Sequence, residues 1–232
     1  MNAREQILAD VQIALHRKSD SPVAPIPASA RIAPRTPGSA HAEMEMLFSE
    51  ISKLGGATRH VKKDELKNAL ETLVKEQEVK RATLWNSEEL KELGVAPILT
   101  ELGVQLISPH ADKRALAECD LGVTGVDFAF PETGTLMLRS SPDKPRAVSL
   151  LPRVHLAIVP PSALRADLSP AFAEVGSDGS IAPSDGSIAP RGEGLFAPYW
   201  VFVTGPSRTA DIELTVTIGV HGPKALYAWE VK

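Results

Sequence analysis

Apolar residues first recur at helical spacing over residues 4–17, where Ile7, Leu8, Val11 and Leu15 share one face. The pattern then stops. Residues 19–40 hold five prolines and few large apolar side chains, so the spacing predicts an extended linker. A helical stripe resumes over His41–Leu54 with Met44, Leu47, Phe48, Ile51 and Leu54, and Gly55-Gly56 ends it. A short strand (57–61) follows. Next comes a helix from Glu65 to about Glu78, with Asp64 as its N-cap and Leu66, Leu70 and Leu73 on its apolar face. Strands at 80–85 and 104–107 then alternate with short helices at 88–93 and 109–117. Strand and helix alternating at this pitch predict a mostly parallel sheet covered by helices.

Further strands are predicted at 122–126, 135–139, 148–151 and 154–159. The 154–159 run is almost uninterruptedly apolar, as a central parallel strand is. Pro160-Pro161 stops it, and Ser162 caps a helix to about Glu174. Strands at 199–203, 214–220 and 225–231 complete the chain. The tight link His221-Gly222-Pro223-Lys224 predicts that the last two pair as an antiparallel edge hairpin. Residues 1–18 thus read as an amphipathic arm and 41–232 as the body. The arm has three places to bury its stripe: the body, a second copy or a partner. Within the body, Ser177–Pro190 repeats one heptad, Ser-Asp-Gly-Ser-Ile-Ala-Pro, twice. A local duplication in a mobile surface loop at 177–194 is the simplest account.

Composition narrows the function. A net charge of -4 and a pI near 5.9 give no basic excess for nucleic acid. No apolar run approaches the length of a membrane span. The N-terminal residues lack a signal-peptide pattern, so the chain is expected in the cytoplasm. Cys119 is the only cysteine, which leaves no disulfide framework and no self-supplied Cys-ligated iron–sulfur cluster. None of the six histidines pairs at metal-ligand spacing, so no metal site is expected.

The candidate chemistry lies in two loops. The first, residues 124–135, offers Thr124, Gly125, Asp127, Glu132, Thr133, Gly134 and Thr135. Asp127 falls at the carboxyl end of a predicted parallel strand, where open α/β sheets place ligands. There an acid such as Glu132 or Asp127 acts as a general base, as a nucleophile toward an acyl group or as a hydroxyl acceptor. Alternatively, both acids accept loop backbone N–H groups and hold the turn. The second loop, residues 204–211, offers Gly205, Ser207, Arg208, Thr209 and Asp211. If Arg208 opens a helical turn, the set suits a carboxylate or phosphate; otherwise it is a cap with an Arg208 ion pair. His155, inside an apolar strand, is either a ligand contact or a hydrogen-bonded core residue.

Four stretches in order then carry a family resemblance: Val123-Thr124-Gly125-Val126-Asp127 through Glu132-Thr133-Gly134-Thr135-Leu136; Ser149-Leu150-Leu151-Pro152-Arg153-Val154-His155; Gly205-Pro206-Ser207-Arg208-Thr209-Ala210-Asp211; and Gly219-Val220-His221-Gly222-Pro223. From about His41 onward the chain resembles the LUD-domain family. The resemblance implies a three-layer α/β fold similar to the isomerase and CoA-transferase-like group. It also implies a part in oxidising L-lactate to pyruvate beside iron–sulfur partner proteins, with no cofactor held by this chain alone. The expected ligand is a small anion between the two loops. Two alternatives stay open. One is a stand-alone acyl or CoA transferase, or a sugar-phosphate isomerase-like enzyme, using Glu132. The other is a non-catalytic metabolite sensor. Self-association stays open too.

Overall fold

The computed structural model describes residues 2–14, 35–168, 171–172, 174, 199–210 and 216–232. The chain divides into two units, residues 1–33 and 34–232. The first contains helix α1 (Ala3–Ala14), where the first apolar stripe predicts it. The duplicated heptad and most of the Pro-rich segment lie outside the described residues.

The second unit opens with α2 (Ala40–Lys53). Ser39 caps it by accepting the Ala42 N–H, and it buries Met44, Leu47, Phe48 and Ile51. After β1 (Ala57–Val61) come α3 (Leu66–Glu76), β2 (Arg81–Leu84), α4 (Glu88–Glu92), α5 (Val95–Glu101), β3 (Gln105–Leu106), α6 (Lys113–Ala117) and β4 (Leu121–Gly125). β5 (Phe128–Phe130) and β6 (Thr135–Arg139) flank a single turn at Pro131–Thr133. Then follow α7 (Ala147–Leu150), β7 (Val154–Ile158), β8 (Trp200–Val203), β9 (Arg208–Ala210), β10 (Val216–Ile218) and β11 (Ala225–Val231).

Six strands form the main sheet in the order β1-β11-β7-β4-β2-β3, and every neighbouring pair is parallel. β5, β6 and β8 make a separate antiparallel sheet, and β9 pairs with β10 in another. The fold is the predicted α/β class, with a mostly parallel sheet and antiparallel hairpins beside it. Its core joins α2 and α3 to β4, β7 and β11 through residues such as Leu47, Leu70, Val123, Leu156 and Trp229.

Three local expectations need correction. Among the described residues, the strand 225–231 does not pair with 216–220; it lies between β1 and β7, and β10 pairs with β9 instead. The reason lies in its sequence: Leu226, Ala228, Trp229 and Glu230 are all buried, which suits an interior strand, not an edge hairpin. Residues 147–150 form a helical turn, not a strand, because Pro145 and Pro152 bracket a stretch too short to join the sheet. Residues 95–101 form α5, where no element is expected from the sequence; Gly94 in the left-handed region lets it follow α4 directly.

The register places the polar residues of the sheet. Paired residues on adjacent strands share a face, so Thr83, Gly122, His155 and Leu226 lie side by side on one surface. Thr124 lies on it too, two residues beyond Gly122. α7 crosses this surface so closely that a Cβ on Gly122 would sit 1.9 Å from the Val148 carbonyl oxygen. Glycine is therefore the residue that lets α7 lie flat on β4.

Candidate functional site

The two predicted loops meet through hydroxyl groups. Thr133 Oγ1 donates to Thr135 Oγ1 at 2.8 Å, and Thr135 Oγ1 lies 3.0 Å from Thr204 Oγ1. Both loops also press against the end of α2. Gly134 has φ 63°, and a Cβ there would come within 2.8 Å of the Ile51 amide nitrogen. Gly205 faces Leu54, and Arg208 donates to the Leu54 carbonyl. Arg208, Thr209 and Ala210 form strand β9, so the expected helical turn is absent there. A strand presents no helix N-terminus to an anion at that position. Asp211 lies outside the described residues.

The two acids of the first loop have partners. Asp127 accepts the Arg139 N–H at 2.7 Å and pairs with Lys144 at 3.0 Å, while its own N–H donates to the Met137 carbonyl at 3.1 Å. It thus clasps the β5–β6 hairpin. Glu132 is exposed and lies 3.2 Å from the Arg35 guanidinium. Arg35 also grips the buried Glu43, which accepts the Gly38 N–H as well. The hydrogen bonds from Arg35 hold the Glu43 carboxyl below the usual carboxylate range against the effect of burial.

A cavity of about 190 Å³ lies over the polar surface of the sheet. Its floor is His155 and Leu226, and Ser149 comes from α7. Thr204, Gly205, Ser207 and His221 form its polar rim. Of the predicted site residues, the cavity therefore gathers His155, Gly205 and Ser207. Thr124 stands behind it, with Oγ1 2.8 Å from His155 Nε2. Ser207 is fixed by its N–H to the Pro223 carbonyl at 2.9 Å and by the Gly219 N–H donating to its carbonyl at 2.8 Å.

His155 is 1% exposed, and burial pushes its pKa down to about 4. The ring is therefore neutral at neutral pH, with one nitrogen able to donate and the other to accept. Nε2 is used by Thr124, while buried Nδ1 has no partner among the described residues. A buried polar atom without a partner is uncommon and calls for a physical explanation.

Sequence reasoning missed several groups. Ser149 sits in a segment read as a strand, and its helical turn is what turns it toward the sheet. His221 reads as a turn residue, although the Gly-Val-His-Gly-Pro stretch marks the place. Glu89 on α4 lies against the end of β4: a Cβ on Gly125 would be 2.6 Å from its Oε2. Burial pushes the Glu89 carboxyl up, with Asp127 adding to the effect and Lys144 opposing it. No sequence signal distinguishes Glu89 from its neighbour Glu88. Cys119 is buried, and burial pushes its thiol up, away from reactivity. Among the described residues no three His, Cys, Asp or Glu side chains gather as a metal site. Among them, too, no helix is long and apolar enough to cross a membrane.

Comparison with known proteins adds independent information. The LUD domain profile matches residues 44–228. Lactate utilization protein C of Shouchella clausii is 34% identical over 173 residues, covering 73% of this chain and 70% of that protein. The protein of the same name from Halalkalibacterium halodurans is 29% identical over 187 residues, covering 78% and 75%. Among solved structures, a DUF162 family protein from Deinococcus radiodurans matches with a TM-score of 0.57 at 22% identity, covering 84% of this chain and all of that one. That likeness concerns the fold alone.

Proposed function

The chain belongs to the LUD domain family, and on that premise we propose that it serves lactate utilization by binding a small hydroxy or oxo acid in the His155 cavity. The observation that carries this reading is the unpartnered Nδ1 of a neutral, buried histidine in the floor of a small polar-rimmed cavity. Its volume of about 190 Å³ is below the usual range for drug-sized ligands and suits a short acid. Ser149, Thr204, Ser207 and His221 supply further hydrogen-bonding groups for a carboxylate or hydroxyl. With a neutral imidazole at the floor, such a ligand is held by hydrogen bonds more than by a full opposite charge.

Oxidation of lactate to pyruvate releases two protons and two electrons. A chain with one cysteine cannot supply the four thiolates of a common iron–sulfur cluster. In this reading the electrons pass to iron–sulfur partner proteins, and the present chain holds the acid or the assembly. Relatives named for lactate utilization support the setting. The test is deletion with complementation. Loss of growth on lactate, restored by the wild-type chain and not by His155→Ala, is expected, with tagged chain retaining iron–sulfur proteins on purification. Unimpaired growth on lactate after deletion would count against the role.

A further inference from the structure

Away from His155, a larger cavity of about 410 Å³ opens over the carboxyl ends of β2 and β3. Ligands in open parallel sheets sit beyond this edge. Beside it lies a second cavity of about 360 Å³, and His110 lines both. Among the described residues, neither shares a lining residue with the His155 cavity.

The chemistry of the walls is one-sided. Lys91 stands at the first cavity and Arg146 at the second, with the His110 imidazole common to both. Among the described lining residues there is no aspartate or glutamate. Lys91 has the exposed Glu88 at 3.5 Å, outside the lining. Asn86, Ser108 and Ser141 add neutral donors, and Leu84, Leu90 and Ile107 supply flat apolar surface. The arrangement is held in place. Trp85 Nε1 donates to the Pro145 carbonyl at 3.1 Å, and Asn86 donates to Asp143 at 3.0 and 3.1 Å from its backbone and side chain. These bonds pin the 140–146 segment to the end of β2. Arg146 lies 4.6 Å over the Tyr199 ring, which orients its planar group.

We propose that the two cavities around His110 form one binding site for a nucleotide-class ligand, a phosphate-bearing anion with a flat apolar body. Two cationic groups, Lys91 and Arg146, together with the His110 imidazole and the amide and hydroxyl donors beside them, suit the many oxygens of a phosphate chain better than a single carboxylate. The apolar walls take the base. Each cavity lies within the usual size range for such ligands.

Calorimetric titration of the full chain with ADP, adenosine and inorganic phosphate tests this. ADP should bind, with adenosine and phosphate each weaker by about tenfold or more, a difference of about 1.4 kcal/mol. Lys91→Ala and Arg146→Ala should each weaken ADP roughly fivefold at an unchanged melting temperature, while His155→Ala leaves it unaltered. Should either alanine variant melt early, Lys91→Gln and Arg146→Gln replace them. No binding of ADP, equal binding of ADP and adenosine, equal binding of ADP and phosphate, or indifference to both substitutions would overturn the proposal. Failure here leaves the His155 reading untouched, because the sites share no lining residue among the described residues.

Discussion

Thr124 on β4 and His155 on β7 share a hydrogen bond of 2.8 Å inside the main sheet, and both side chains are buried. They are diagonal neighbours on one face, a geometry set by the pairing of Gly122 with His155 and of Thr124 with Ala157. The bond occupies one ring nitrogen and leaves the other, Nδ1, without a partner among the described residues. Thr124 is thereby a positioning residue for the imidazole.

Replacing Thr124 with valine keeps the shape and removes the bond. The loss of a partner for a buried ring nitrogen should cost about 1–3 kcal/mol. Chemical denaturation measures it, and binding of lactate or pyruvate should weaken in parallel. Unchanged stability together with unchanged binding would show that the bond positions nothing.

The buried imidazole also makes stability depend on pH. Its folded pKa is about 4, below the ordinary 6.5. The unfolded ring takes up its proton as pH falls through 6.5, while the folded ring stays neutral until about 4. Stability is therefore fully present above 6.5, falls as pH drops through that window and levels off below it. The contribution is roughly 3 kcal/mol over the whole window. Wild type should lose more stability than His155→Gln by roughly 2–3 kcal/mol between neutral pH and about pH 4.5. Equal losses in the two proteins would contradict a buried neutral histidine.

Gly122 and Gly103 make a contrasting pair. A Cβ on Gly122 would meet the Val148 carbonyl at 1.9 Å, whereas one on Gly103 meets nothing within 4 Å and only strains a φ of 81°. Gly122→Ala should cost more than about 3 kcal/mol by pushing α7 off the sheet. Gly103→Ala should cost about 1–2 kcal/mol from the left-handed backbone alone. Equal melting temperatures for the two variants would mean that α7 does not lie where the structure places it.

Glu132 and Glu43 share Arg35 but differ in burial, with side chains 57% and 6% exposed. Glu43→Gln should lower the melting temperature clearly, and Glu132→Gln hardly at all, because exposed ion pairs contribute little. Growth on lactate should survive Glu132→Gln. Loss of that growth at an unchanged melting temperature would instead support a catalytic Glu132.

The α/β class was legible because helical stripes such as Leu66, Leu70 and Leu73 alternate with apolar runs such as 154–158, and both periods follow from burial. The partner of each strand was less so. The tight link at 221–224 suggested a hairpin, yet β11 inserts between β1 and β7, a pairing decided by tertiary burial of Leu226 and Trp229. At the site, His155, Gly205 and Ser207 were visible as motif residues. Ser149 was hidden by a wrong element, and Glu89 by a helix that gives Glu88 the same local signal. The two loops touch through Thr135 and Thr204, while the second of them roofs a cavity floored by His155. Loop contacts of this kind depend on how separate sheets stack, which the period of one strand does not encode.

The most direct test of the central claim is a crystal structure of the chain soaked with pyruvate. Ligand density is expected in the cavity of about 190 Å³, with an oxygen within hydrogen-bonding distance of His155 Nδ1 and the carboxylate toward Ser207 or His221. An empty cavity at full soaking, or pyruvate bound only elsewhere, would contradict it.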